Sequence, residues 1–108
     1  MTQATLSVRV QKTRSDSILP VYGTAGAGAF DLAIPQNVGE TLLYPGDAWT
    51  FGTGLKFEVP AGYVMLVFAR SGLAFKQGLY LVNGVGVIDA DYRGEVQVKV
   101  ARPMTEAA

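Results

Sequence analysis

Apolar and polar residues alternate with a period of two in three stretches of the chain. Leu6, Val8 and Val10 alternate with Thr5, Ser7 and Arg9, and Leu55, Phe57 and Val59 with Lys56 and Glu58. Val96, Val98 and Val100 alternate with Glu95, Gln97 and Lys99. Successive side chains of a strand point to opposite faces, so each stretch predicts a strand with one buried and one wet face. Tyr63-Val64-Met65-Leu66-Val67-Phe68 is apolar without a break. That pattern predicts a strand covered on both faces, either central in a sheet or at an interface.

Turn signals separate these runs: the glycine-rich segment Gly23 to Gly28, Pro45-Gly46-Asp47 and Pro60-Ala61-Gly62. Pro60 suits a type I or II turn, and Gly62 can take the positive φ of a type II turn. Ser71 to Gln77 is the helical candidate, about two turns long. Many short strands joined by Gly/Pro turns predict an all-β fold, a sandwich or jelly-roll-like barrel with at most one short helix. No repeat or linker divides the sequence, so residues 1–108 are read as one domain. The last strand pattern runs into Arg102-Pro103-Met104-Thr105-Glu106-Ala107-Ala108 with nothing in view to cover its far edge. An open edge beside a half-buried sheet invites association. The expectation is that a second chain, and further protein, cover it.

Composition narrows the chemistry. At 49% hydrophobic and 17% charged, the chain is expected to pack a core rather than stay disordered. Nine basic residues balance nine acidic ones, which argues against a general nucleic-acid or membrane-surface binder. An anionic ligand must then be held by a local site. Cysteine and histidine are both absent, removing thiolate metal sites, disulfides and the commonest general base. Any catalysis falls to carboxylates, hydroxyls, Arg, Lys and backbone amides. The longest apolar run, Tyr63 to Ala69, is far short of the ~20 residues that span a bilayer. Met1 to Thr5 lacks the basic and apolar regions of a signal peptide, so a soluble, cytoplasmic protein is expected.

Three stretches carry candidate chemistry. Ala25-Gly26-Ala27-Gly28-Ala29-Phe30-Asp31-Leu32 reads, taken alone, as a flexible loop entering a strand with Asp31 turned to solvent. Ala69-Arg70-Ser71-Gly72-Leu73-Ala74 follows the most apolar run. Arg70 offers a planar fork of donors, Ser71 a hydroxyl, and Gly72 close backbone approach, while amides opening a short helix add to an anion site. The plainer alternative is a surface Arg70 and a helix-capping Ser71. The third stretch runs from Asn83 to Gly94 as Asn83-Gly84-Val85-Gly86-Val87-Ile88-Asp89-Ala90-Asp91-Tyr92-Arg93-Gly94. A carboxylate at a strand's end, as at Asp89, suits a general base that activates water. The alternative is a β-turn whose Asp89 and Asp91 cap backbone amides, although a plain turn has no need of Tyr92 and Arg93 together.

In this order and spacing the stretches resemble the trimeric dUTPase family, which hydrolyses dUTP to dUMP and pyrophosphate. AGAFDLA resembles the family's first motif, TGLKFEVPAGY its connecting hairpin, ARSGLAFKQGL its second motif and NGVGVIDADYRGEV its third. The match runs from about Gly26 to Val100. It implies a β-jelly-roll homotrimer with active sites between subunits. Asp89 resembles the carboxylate that activates the water attacking the α-phosphorus, and Tyr92 the aromatic that leaves no room for a 2′-hydroxyl. Asn83, with backbone near Gly86 and Val87, resembles the segment that reads the uracil edge. Arg70, Ser71 and Gly72 resemble the phosphate-contacting second motif, and Asp31 the carboxylate that organises the site near the metal-bound phosphates. Mg²⁺ is expected to be held mainly by the triphosphate, with no all-protein cage. The sequence departs from the family at Ala69, where Pro is usual. Nothing after Lys99 resembles the family's fourth motif, G-D/E-R-I-A-Q, or its glycine-rich fifth. Lids exclude water and complete catalytic sets, so the 108-residue form is expected to form trimers but to hydrolyse dUTP poorly or not at all. Two other readings stay open: a non-hydrolysing dUTP-binding or regulatory protein on this scaffold, and a dCTP deaminase. The latter family needs a catalytic Glu where this chain has Lys99.

Overall fold

The structure is a computed structural model that describes residues 5–35 and 43–104. The expectations for the first four residues and for Thr105 to Ala108 lie outside the described residues. Among the described residues, six strands form two sheets. β1 (Arg9–Lys12), β2 (Ala48–Glu58), β6 (Glu95–Ala101) and β4 (Tyr80–Leu81) make an antiparallel sheet in the order β1-β2-β6-β4. β3 (Met65–Val67) and β5 (Gly86–Ile88) make a second, two-stranded antiparallel sheet.

The period-two patterns decide which face of each sheet is buried. Leu55, Phe57 and Val59 of the β2 segment meet Val96 of β6 to form the core, with Val10, Phe30, Leu32, Met65 and Ile88 packed against it. Met65 and Ile88 come from the small sheet, so the two sheets close over one hydrophobic layer, as in a β-sandwich. Phe30 stacks on Phe57 with ring centroids 6.1 Å apart, and Tyr22 meets Phe30 edge-on at 6.0 Å.

β2 is bent by a bulge. Gly52 pairs with Gln97 and Lys56 with Glu95, so residues 53 to 55 face Val96 alone. Side chains replace the interrupted ladder: Thr53 Oγ1 donates to Val96 O at 2.7 Å, and Glu95 Oε2 accepts from Gly54 N at 2.9 Å. Gly54 takes φ +70°, a left-handed conformation that glycine adopts without a Cβ clash. Ser17 is buried beneath it and donates to Gly54 O at 2.6 Å.

Three expectations are corrected. β6 is an interior strand, with β2 on one side and β4 on the other. Its C-terminal half is covered at Tyr80↔Ala101 and Leu81↔Val100, with Val82 N donating to Lys99 O at 2.9 Å. The chain therefore covers part of that edge from within. Second, of the apolar run Tyr63 to Phe68 only Met65–Val67 is strand, and among the described residues it pairs with β5 alone. Met65 packs on the core, whereas Tyr63, Val64, Leu66 and Phe68 are all exposed. Third, β1 begins at Arg9, opposite the end of β2 at Glu58. Leu6 and Val8 lie beyond any partner strand among the described residues and are exposed. The two proline turns form as hydrogen-bonded turns, Asp47 N to Tyr44 O at 2.9 Å and Tyr63 N to Pro60 O at 3.1 Å. Gly46 and Gly62 take positive φ in them, which puts Pro45 at the second turn position but Pro60 at the first.

Candidate functional site

Asp31 is placed by its neighbours. Phe30 and Leu32 turn inward to the core and hold the segment on both sides of Asp31, while Asp31 N donates to Val21 O at 2.7 Å. Its carboxylate is thereby turned outward, where Oδ1 lies 3.7 Å from Arg70 Nε. The first and second motifs thus meet. Exposed pairs of this kind contribute about 0–1 kcal/mol, and Arg70 is 75% exposed. Stability alone does not account for bringing these charges together.

Arg70 stands at the mouth of a single-turn π-helix, Gly72–Lys76. Leu73 N and Ala74 N both donate to Arg70 O, and Leu79 N closes the far end on Leu73 O. Ser71 makes no side-chain cap hydrogen bond, so the capping reading fails and its exposed hydroxyl is not used by the helix. π-turns are rare and cluster at functional sites.

The third motif divides between two faces. After β4 the chain turns at Asn83, with Gly84 N donating to Leu81 O at 2.9 Å and Val85 N to Asn83 O at 2.8 Å. It leaves β6 there and joins β3. The parting strands enclose an open groove of about 330 Å³, lined by Asn83, Gly86 and Ile88 on one side and Gln97, Val98 and Lys99 on the other. Asn83 and Gly86 therefore line one concavity. The Val87 side chain instead pairs with Leu66 on the exposed outer face.

Beyond β5 comes a tight turn, with Tyr92 N donating to Asp89 O at 3.1 Å. Tyr92 Oη donates to Glu95 O at 2.7 Å, and Arg93 Nη1 donates to the carbonyls of Ala90 and Tyr92. Tyr92 and Arg93 are thus the fasteners of this turn. Asp89 and Asp91 are exposed, and among the described residues no hydrogen bond or ion pair engages either carboxylate, so neither acts as an amide cap. Sequence reasoning gave no site role to Glu95 or Gln97, since polar residues alternating along a strand look like any wet face.

The register also sets the distance between motifs. Val67 pairs with Gly86 and Met65 with Ile88, so Arg70 leaves one end of the small sheet and Asp89 the other. No hydrogen bond or ion pair among the described residues joins Asp31 or Arg70 to Asn83, Asp89 or Tyr92. Among those residues, too, no three carboxylates group to hold a metal, and no helix is long and apolar enough to cross a membrane.

These features define a class: an all-β sandwich with an Asp–Arg pair on one loop cluster, and a groove and an acid-bearing turn on another. A family model described as dUTPase matches residues 15–106. The chain belongs to the dUTPase family. It is 37% identical over 102 residues to the deoxyuridine 5'-triphosphate nucleotidohydrolase of Nautilia profundicola, covering 94% of this chain and 70% of that protein. It is 46% identical over 104 residues to the same-named protein of Desulfitobacterium hafniense, covering 94% and 68%. A mutant dUTPase from phage phi11 of S. aureus, whose structure concerns coordination of a structural Mg(II) ion, shares the fold at TM-score 0.77 and 24% identity. That comparison covers 90% of this chain and 60% of the phage chain. A mutant dUTPase of Staphylococcus bacteriophage 80alpha, solved with dUpNHpp, is 25% identical at TM-score 0.76, covering 89% and 59%. This chain therefore spans about three fifths of the solved phage chains.

Proposed function

We propose that this chain is a dUTP diphosphatase that hydrolyses dUTP to dUMP and pyrophosphate and so limits uracil in DNA. The observation that carries the reading is the third-motif turn, which holds Asp89 at the end of β5 with its carboxylate unpaired among the described residues, beside a Tyr92 fixed in place. In the reaction Asp89 accepts a proton from water as the water oxygen attacks the α-phosphorus. The bond from that phosphorus to the oxygen bridging to the β-phosphate breaks, and pyrophosphate leaves. Asn83 and the backbone at Gly86 and Val87 read the uracil edge, and Tyr92 walls off a 2′-hydroxyl. Arg70, Ser71 and Gly72 bind phosphate oxygens. Phosphoanhydride hydrolysis needs mainly positioning and charge neutralisation, which this histidine-free set supplies.

Mg²⁺ fits the residues present. It usually keeps several waters and is held mainly by substrate phosphates, and Asp31, outward-facing beside Arg70, would organise the site near those phosphates rather than cage the ion. When bound, the ion neutralises charge on the triphosphate. Such an enzyme works on the soluble nucleotide pool of the cytoplasm.

A homotrimer with shared sites follows from the same reading. Arg70 and Asp89 leave opposite ends of the small sheet, which supports a site that takes one of them from a second copy. The outer face of that sheet carries Leu66 opposite Val87, flanked by Val64, Phe68 and Val85, all of them exposed. A contiguous apolar face of this kind marks an interaction surface, and two-stranded sheets rarely stand uncovered. Leu66→Glu is expected to convert a trimer into monomers in sedimentation velocity. A variant that sediments with the wild type would remove this face from the interface.

The direct test is pyrophosphate release from dUTP with Mg²⁺, against dTTP, dCTP and UTP, together with binding of dUMP. Selective turnover of dUTP, however slow, supports the reading. Absence of both pyrophosphate release and selective binding would sink it.

A further inference from the structure

The Tyr92 ring is held by more than its own side-chain torsions. Its Oη donates to Glu95 O at 2.7 Å. A Cβ built on residue 94 would lie 2.6 Å from Tyr92 Oη, 2.8 Å from Cζ and 3.2 Å from Cε1. These contacts fall on a rigid ring, not on the end of a flexible side chain, so the ring or the turn would have to move. Gly94 does not take a positive φ, and its backbone has no need of glycine. Close approach of the Tyr92 ring is what requires it. The other end of the hydrogen bond is anchored as well. Glu95 Oε2 accepts from Gly54 N at 2.9 Å and from Thr13 Oγ1 at 3.3 Å, which ties the residue carrying the accepting carbonyl to the β2 bulge. Arg93 fastens the turn's own carbonyls. Tyr92 remains 43% exposed and so presents part of its ring to a ligand.

We propose that Gly94 and Glu95 are positioning residues that fix the Tyr92 ring as a wall, so that discrimination between deoxyribose and ribose depends on the missing Cβ at 94 and the carbonyl at 95. The inference rests on the reading of the site given above. A wall excludes a 2′-hydroxyl only if it cannot retreat, because a ring free to rotate yields the small volume that one oxygen needs. Positioning therefore acts on the difference between two sugars rather than on affinity for either.

The test compares dUMP and UMP binding by calorimetry in the wild type, Gly94→Ala and Tyr92→Phe, with thermal unfolding of each. Binding is used so that the result does not depend on turnover. Gly94→Ala is expected to lower the preference for dUMP by about tenfold, chiefly through better UMP binding, which is about what one hydrogen bond is worth. Tyr92→Phe deletes the Oη bond while adding no atom, and is expected to lower the preference by about threefold. A purely structural role would weaken both nucleotides alike and leave their ratio unmoved. If Gly94→Ala does not fold, Tyr92→Phe decides alone. A wild type that discriminates, with an unchanged ratio in the folded variants, overturns the inference and leaves the site assignment intact. A wild type that binds neither nucleotide, or both equally, overturns the site reading and the inference with it.

Discussion

Asp89→Asn is expected to lower dUTP turnover by a factor of about 10²–10⁴, the usual contribution of a positioned general base, while dUMP binding and thermal stability stay close to wild type. The carboxylate makes no hydrogen bond or ion pair among the described residues and is exposed, so removing its charge costs the fold little. Arg70→Ala should likewise be inactive and folded, since its ion pair with Asp31 is long and exposed. The informative experiment mixes the two. If each site takes Arg70 from one subunit and Asp89 from another, random reassembly of equal amounts restores about one quarter of the wild-type sites in a closed ring. If both groups came from one chain, no mixed trimer would contain an intact site, and the mixture would stay as dead as its components. Recovery after unfolding and refolding together, but not after simple mixing of formed trimers, would show that the gain comes from subunit exchange.

The main sheet was legible because its strands obey the period-two rule on a face this chain itself covers. Leu55, Phe57, Val59, Val96 and Val100 are all buried as their spacing requires. The rule misled at Leu6 and Val8, where the alternation is present but β2 ends at Glu58 and offers no partner. At Tyr63 to Phe68 the rule left the source of the second cover open. An unbroken apolar run says only that both faces avoid water, not that one chain supplies both covers. Met65 finds the core, whereas Leu66 and Phe68 remain exposed in the single chain. The open edge assigned to β6 was a failure of topology, because nothing local in Tyr80-Leu81 announces a two-residue strand pairing back on Val100 and Ala101.

The site was partly legible for a related reason. Asp31 stands out in sequence because Phe30 and Leu32 bracket it, and the structure uses that bracket to turn it outward. Asn83 to Tyr92 stands out by its density of polar groups among glycines. What the sequence could not separate is which members meet ligand and which build the turn. Arg93 looks as functional as Asp89, yet its guanidinium is spent on the carbonyls of Ala90 and Tyr92. Glu95 looks like one more wet residue of β6, yet its carboxylate holds the bulge amide of Gly54. The Glu95 role depends on residues 41 positions apart meeting at a bulge, and no local pattern encodes that.

That bulge is where the largest stability effect is expected. Gly54→Ala would place a Cβ on a residue at φ +70°, costing about 1–2 kcal/mol for the left-handed conformation. The same Cβ would meet Ser17 Oγ, a buried hydroxyl that donates to Gly54 O at 2.6 Å and accepts from Arg14 N at 3.2 Å. Moving it strains two hydrogen bonds in a packed place, each worth about 0.5–1.5 kcal/mol. Together these give about 2–5 kcal/mol, a drop of at least about 8 °C in Tm for a domain of this size. A shift under about 3 °C would mean that the bulge yields freely and does not constrain its neighbours. The double variant Ser17→Gly with Gly54→Ala separates the causes. Removing the hydroxyl relieves the collision but not the backbone strain, so the two changes should cost clearly less than their sum. Because Gly54 N also binds Glu95 Oε2, whose residue supplies the carbonyl that holds Tyr92, the strain should travel. Gly54→Ala at a temperature where it stays folded is expected to loosen the dUMP-over-UMP preference in the same direction as Gly94→Ala. Loss of stability with an untouched preference would show that the bulge supports the sheet alone and that the Tyr92 wall is held entirely within its own turn.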